Sequence, residues 1–312
     1  MNPLFVSYIK FLMIANISRN ARTFSHLCKG AYSHDSFTRM LYKPIDYLIY
    51  LVSLTQAKNI KGGYFILDDT VIEKPYSSKL EGAIWAYSSS HKKCIYGYHL
   101  VLLIWTDGTR KIVIDYRLHS KNSKNKINLA LELLSYARNQ VRMKPEFVLF
   151  DSWYSSKKIL KRIKDYGWYF VTRLKKNRKF GNTSLIKYKT NPYWMAKDRL
   201  SCGLKVQIVR NGKQYFATNL MRLSKTEILN LYRIRQTIEE MNKLLKFCGL
   251  NDCQARKIKA LNKHVQCTIL ALTLLEQESR RQGHSIYSLK KDNRLKEAYV
   301  QKLCETKLSL AA

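Results

Sequence analysis

Two apolar strands that each end on a carboxylate constrain this chain more than any other feature. YFILDDTVI (Tyr64 to Ile72) follows Lys61-Gly62-Gly63 and is rich in β-formers, so it reads as a buried strand that suddenly presents Asp68 and Asp69. FVLFD (Phe147 to Asp151) is a second such strand and stops on Asp151. Aspartate is common at strand ends as a cap or turn residue, so each alone says little. Their weight depends on what the rest of the chain brings to them.

The elements come in an informative order. Residues 1 to about 57 read as short helices; SHDSFTRML (Ser33 to Leu41) begins with cap-type residues and carries Arg39, which suits a small DNA-binding module and a plain helical subdomain equally well. After the Asp68-bearing strand, YGYHLVLLIW (Tyr96 to Trp105), Asp107-Gly108 and KIVIDYRL (Lys111 to Leu118) form a hairpin signature, with Asp-Gly suited to a type I′ turn. A helix over Asn125 to Val141, the Asp151 strand, a short basic helix (Ser155 to Asp165) and WYFVTRL (Trp168 to Leu174) follow. KVQIVRNGKQYFATN (Lys205 to Asn219) is a further hairpin about Asn211-Gly212 in a β-rich insertion. Ala255 to Arg280 is a helix, and the last thirty residues read as peripheral helix. Three antiparallel strands feeding a βαβ unit predict an α/β (α+β) fold, a mixed sheet with flanking helices in the ribonuclease-H-like order. The expected divisions are a helical N-terminal region (1–58), a catalytic core (59–176 and 223–250), the β-rich insertion (177–222) and a C-terminal helical region (251–312).

The third polar constellation is SKTEILNLYRIRQTIEEMNKLLKF (Ser224 to Phe247), read as one helix that opens with a capping box of Ser224 and Glu227. At roughly 100° per residue, with Tyr232 as zero, Arg235 falls at about −60°, Glu239 at about −20° and Lys246 at about −40°. Ile234, Ile238, Met241 and Leu245 lie opposite, on the core stripe. Glu240 lies about 100° around from Glu239, off the shared face. A solvated row of ion pairs would look the same in isolation.

Charge narrows the partners. The chain carries 56 Lys+Arg against 22 Asp+Glu, a formal charge of +34 spread along its whole length and interleaved with 21 Tyr. That field points to nucleic acid as partner and away from a membrane. Seven cysteines with no C-x-x-C pair read as reduced thiols of a cytoplasmic protein, Cys248 and Cys253 among them as structural residues. The apolar N-terminus lacks a basic n-region and is interrupted by Lys10, unlike a signal peptide. Three carboxylates drawn together in a basic protein repel one another unless a cation joins them, and hard oxygen ligands favour Mg²⁺ or Mn²⁺. Two such ions suit phosphodiester cleavage. His99 reads as a satisfied core histidine, Asp115 as a solvent-facing strand residue, and Lys175, Lys176, Arg178 and Lys179 as a generic phosphate-contacting loop.

LDDT (Leu67 to Thr70), FDSWYSS (Phe150 to Ser156) and YRIRQTIEEMNKLLK (Tyr232 to Lys246) resemble the three motifs of DDE transposases of bacterial insertion sequences, in the branch with the signature Y-(2)-R-(3)-E-(6)-K. Tyr232, Arg235, Glu239 and Lys246 match that spacing without a gap, while Gln236 stands where tryptophan is common. The resemblance spans about Tyr64 to Lys246. It implies cleavage at the ends of a mobile element and joining of 3′ ends to target DNA, with Asp69, Asp151 and Glu239 as catalytic residues and ligands of two divalent ions. Asp69 is taken as the acid before Thr70, with Asp68 its neighbour. Tyr232, Arg235 and Lys246 would hold phosphate. The resemblance further implies a homodimer acting on nucleoid DNA and, in some relatives, an aromatic that stacks on a flipped base, for which Trp194 is a candidate beside its plainer reading as core. A nuclease or resolvase without strand transfer, or an inactive DNA-binding derivative, is the alternative.

Overall fold

The computed structural model of the chain describes residues 2–15, 19–77, 79–88, 91–188, 193–291 and 297–309. Four helices come first: α1 (Pro3–Ile14), α2 (Ala21–Leu27), α3 (His34–Met40) and α4 (Tyr47–Thr55). Asn2, Asn20 and Ser33 start the first three by accepting from backbone amides two or three residues on. The central run is β1 (Tyr64–Glu73), β2 (Ile84–Ser88), β3 (Lys93–Thr106), β4 (Lys111–His119), α5 (Lys126–Asn139), β5 (Phe147–Phe150), α6 (Lys157–Asp165) and β6 (Tyr169–Leu174). Then come β7 (Lys179–Phe180), β8 (Thr183–Ser184), β9 (Met195–Arg199), β10 (Lys205–Asn211) and β11 (Gln214–Thr218). Helices α7 (Lys225–Arg233), α8 (Gln236–Phe247), α9 (Ile258–Gln282), α10 (Ile286–Lys291) and α11 (Glu297–Ser309) close the described chain.

The main sheet runs β2-β3-β1-β5-β6-β11-β10-β9, and β4 also pairs with β3. Strand β1 is antiparallel to β3 and parallel to β5, which is parallel to β6. The order β4-β3-β1-β5-β6 is that of a ribonuclease-H-like fold, mixed as expected. One face, bearing Ile66, Leu102, Leu149 and Val171, packs with Ile228 of α7, with Ile238, Met241 and Leu245 of α8, and with α9 and α1. The other, bearing Phe65, Leu67, Val148 and Phe150, packs on Leu129, Leu133 and Leu134 of α5 and Ile159, Leu160 and Ile163 of α6. Each such buried aliphatic side chain stabilises the fold by about 1.5–3 kcal/mol.

Several local expectations are corrected. Strand β2 is an unforeseen edge that shares the outer side of β3 with β4. The β3–β4 connection closes at Thr106–Lys111, a four-residue loop in place of a two-residue type I′ turn, because Asp107 folds back to accept from the amides of Thr109 and Arg110. Asp115 is buried at 2 % exposure and ion-paired with Arg117. Its misplacement has a cause: the register jumps from Leu103–Asp115 to Ile104–Val113, so a bulge at Ile114 breaks the alternation from which solvent exposure was inferred. Strands β9 to β11 continue the catalytic sheet through the β6–β11 pairing. The N-terminal helices share one apolar cluster with α8, α9 and α11.

Candidate active site

The seam between β1 and β5 builds the site. Tyr64 pairs with Phe147 and Leu67 with Phe150, in parallel register. One step further, Asp68 and Asp151 stand beside each other at the point where the pairing stops, and in a parallel pair such neighbours project from the same face. Ile66 and Leu149, two residues back, fix that face as the one covered by α8. Asp69 therefore projects to the opposite side.

Helix α8 reaches the seam from above. The expected single helix is two: Ile234 N–H bonds Leu231 O, Arg235 N–H bonds Tyr232 O and Ile238 N–H bonds Arg235 O, a tight i→i−3 turn between α7 and α8. No glycine or proline marks this break; the interaction found at the junction is tertiary, as Arg235 Nη1 donates to Asp68 Oδ2 at 2.9 Å. In such a turn residues three apart eclipse, and the Arg235 guanidinium lies 5.6 Å from the Tyr232 ring centre. Its other nitrogen, Nη2, donates to Glu239 Oε1 at 2.5 Å. Arg235 thus joins the β1 acid to the helix acid.

The capping box of Ser224 and Glu227 is present. Glu239 is half-exposed, and Glu240 turns to Lys111 at 2.8 Å. Asp151 pairs with Arg173 at 3.0 Å. Lys246 is not at the seam: its ammonium bonds Glu73 Oε1 at 3.1 Å. The spacing is consistent, since eleven residues of helix and five of strand both span roughly 16 Å. Helix α8 lies along β1, with Arg235 on Asp68 and Lys246 on Glu73.

The two adjacent aspartates have opposite environments. Burial pushes the Asp68 carboxyl up to about 7, with the charges of Asp69 and Asp151 adding to it and Arg235 opposing. Burial also raises Asp69, but the His99 hydrogen bond, the Lys126 and His99 charges and the Tyr154 hydroxyl outweigh it and hold Asp69 at about 2. The contacts are close: His99 Nδ1 lies 2.6 Å from Asp69 Oδ2, Tyr154 Oη donates to Oδ1 at 2.8 Å, and Lys126 Nζ sits 3.1 Å from Oδ2. His99 is buried, as expected, but its partner is this carboxylate. Trp194 packs among Phe180, Tyr188 and Tyr215, in an aromatic cluster under the sheet extension.

A family model described as transposase DDE domain matches residues 61–274. The chain belongs to the DDE transposase family. Among solved structures, this transposase is similar to the piggyBac transposase in a synaptic complex with hairpin DNA, with a TM-score of 0.60 at 12 % identity over 98 % of this chain and 70 % of that one, a likeness of fold. The Drosophila P element transposase in a strand transfer complex aligns over 96 % of this chain and 63 % of that chain at 13 % identity, with a TM-score of 0.28 on which nothing rests. No curated protein matches the chain. No described helix is long and apolar enough to cross a membrane.

Enzymes of this family generally use divalent metal ions. Among the described residues no three His, Cys, Asp or Glu side chains lie close enough together to hold one, and Arg235 spans Asp68 and Glu239. The donor set nevertheless fits a hard cation. Asp68 is crowded by two like charges and short of positive charge, so a divalent ion would relieve it, whereas Asp69 is already satisfied by three donors. Sequence reasoning put Asp68 second to Asp69, read His99 as core without this partner, and did not single out Arg173, Lys126 or Tyr154. One signal for Asp68 was available: YFIL-Asp68 and FVLF-Asp151 both run four apolar residues to a carboxylate, so an in-register parallel pairing aligns Asp68 with Asp151.

Proposed function

We propose that this transposase cleaves the ends of a mobile element and transfers the freed 3′ ends to target DNA with Asp68, Asp151 and Glu239 as its acids, in place of the Asp69 favoured by motif alone. The observation that carries the proposal is the register of β1 with β5, which sets Asp68 and Asp151 side by side under α8. Mg²⁺ or Mn²⁺, as two ions, would be held by these three carboxylates and would supply an activated oxygen nucleophile and a stabilised leaving oxygen. The chain's own residues do the positioning. Arg235 and Arg173, each beside a seam carboxylate, offer forked guanidinium donors to phosphate oxygens, and Tyr232 packs behind Arg235. Lys246, at the far end of α8, is suited to the DNA backbone further along the same groove.

The match of Tyr232, Arg235, Glu239 and Lys246 to Y-(2)-R-(3)-E-(6)-K supports the bacterial insertion-sequence branch. The charge of +34 supports double-stranded DNA as the partner, in the nucleoid of the cytoplasm, and the family resemblance implies a homodimer on that DNA. In this reading residues 1–58 assist DNA binding, 59–176 with 223–250 form the core, 177–222 extend its sheet and 251–312 brace it. The test is Mg²⁺-dependent nicking of DNA carrying the element's end by the wild type and by Asp68→Asn, Asp69→Asn, Asp151→Asn and Glu239→Gln. Losses on the order of a thousandfold or more are expected in Asp68→Asn, Asp151→Asn and Glu239→Gln, and only about ten- to a hundredfold in Asp69→Asn. Full activity in Asp68→Asn would overturn the assignment, and nicking without joining of a pre-cut 3′ end to plasmid would mark a nuclease.

A further inference from the structure

Helix α6 breaks the charge rules that favour a helix. Its inner stripe, Ile159, Leu160 and Ile163, is buried, while Lys157, Lys158, Lys161 and Lys164 are exposed. Lys157 and Lys158 fill the first turn, where no acid stands and where the helix dipole already presents positive charge. Lys157 faces Lys161, and Lys158 faces Arg162, at the i,i+4 spacing at which like charges repel. The one acid of the helix, Asp165, lies at its other end. The buried stripe and the Ser156 hydroxyl, which accepts from the Ile159 amide, hold this helix in place.

A second conflict sits at the last turn. Arg162 Nη1 donates to Tyr166 Oη at 3.3 Å, and the Arg138 guanidinium of α5 lies 4.2 Å from the centre of the same ring, so two like charges converge on one tyrosine. Trp168 meets that ring edge-on at 5.0 Å and fixes it from the other side. The cations about the seam and its groove behave differently. Arg235 holds Asp68 and Glu239, Arg173 holds Asp151 and Lys246 holds Glu73, whereas among the described residues the four lysines, Arg138 and Arg162 are ion-paired with no carboxylate. Six uncompensated cations on one surface require an anion from outside the chain.

We propose that the outer face of α6, with Arg138, binds the phosphate backbone of a second DNA duplex, distinct from the one cut at the seam. The nine residues of α6 span about 13.5 Å, the length of roughly four base pairs at about 3.4 Å each. Lysines on a backbone fix position and read no sequence. The side of the sheet separates the two duplexes. Ile159, Leu160 and Ile163 pack with Phe65 and Leu67 on the Asp69 side, and α8 covers the other. Duplex DNA is stiff over about 150 base pairs, so a segment lying along α8 does not fold round the sheet within a few base pairs to reach α6. The second site rests on the transposase reading of the seam, which itself brings two DNA segments, element end and target, to one protein.

The probe is a labelled mixed-sequence duplex without the element's end, offered to the full-length protein already bound to an excess of immobilised end duplex, so that the α8 groove is filled. The wild type should capture the label. The combined change Lys157→Glu, Lys158→Glu and Lys161→Glu should lower capture about tenfold or more, while the protein still binds and nicks the immobilised end at the wild-type rate. The neutral set, Lys157→Gln, Lys158→Gln and Lys161→Gln, should reduce the slope of log affinity against log salt for the mixed duplex by about 0.9 per lysine. It should also melt no lower than wild type, because it relieves repulsion within α6. Unchanged capture and slope would overturn the surface. Equal losses of capture and nicking would show that α6 serves the cleaved duplex and would overturn it as a second site. A lower melt in the neutral set would show that the lysines stabilise the helix and would remove the need for an outside anion. Asp151→Asn separates the two readings: capture that persists without cleavage supports both, whereas cleavage that persists strikes the acid assignment and leaves the capture result standing.

Discussion

The two faces of β1 treat neighbouring carboxylates in opposite ways. Above the sheet Asp68 has one guanidinium, shared with Glu239, and two acidic neighbours; below it Asp69 has a histidine, a lysine and a tyrosine. One acid is short of positive charge and the other is saturated with donors. A strand's twofold alternation suffices to separate a group poised for an incoming cation from a group that holds the architecture, one residue apart.

The comparison breaks first at catalysis. Asp68→Asn and Asp151→Asn are expected to lower metal-dependent DNA cleavage on the order of a thousandfold or more, as removal of a group acting in the chemistry does. Asp69→Asn should lower it only about ten- to a hundredfold, the range of residues that orient others. Equal losses in single-turnover nicking would erase the distinction between the faces. Arg235→Ala should also cut cleavage severely while strengthening divalent-ion binding measured by calorimetry, because it removes the cation that neutralises Asp68 and Glu239; weaker ion binding would show that Arg235 shapes the site.

Stability against pH sharpens the contrast. Asp69 has its folded value lowered to about 2, so its stabilisation is present above the unfolded value of roughly 4 and is lost as pH falls through about 2. Asp68 has its folded value raised to about 7, so the folded chain holds a proton that the unfolded chain releases, and stability declines as pH rises from roughly 4 to about 7. Thermal melts should show Asp69→Asn flattening the acid limb, worth on the order of 2 kcal/mol, and Asp68→Asn flattening the neutral limb. Mg²⁺ should restore the neutral limb in the wild type and leave Asp68→Asn unmoved. The smallest effect lies away from both faces: Ser224→Ala removes half of the α7 capping box and should cost about 1 kcal/mol in denaturant unfolding, with cleavage retained.

Much of this molecule was legible in its residues. The apolar runs of β1 and β5, the helix face of Ile238, Met241 and Leu245, and three acidic motifs led to the fold order and the family. The facing of Asp68 and Asp69 was harder, because YFIL is apolar on both sides and a strand buried on both faces carries no alternation to orient it. The break before α8 was illegible for a different reason. Residues 224 to 247 keep helical periodicity throughout, and the contact found at the bend, Arg235 on Asp68, joins residues 167 positions apart. Strand β2 escaped notice because it is short, and its Trp85 and Tyr87 lie exposed where a core strand would bury them.

The pairing of β11 with β6 has a consequence for anyone who would trim this enzyme. Residues 177–222 sit where an optional loop might be excised, yet Tyr215 to Thr218 close the hydrogen-bonding side of Leu174 to Val171. Excision would leave β6 as a bare edge of mostly buried, apolar residues, a template for pairing with other chains. A minimised version should therefore precipitate before it loses its chemistry, unless the new edge is given charges or a proline to keep strangers off.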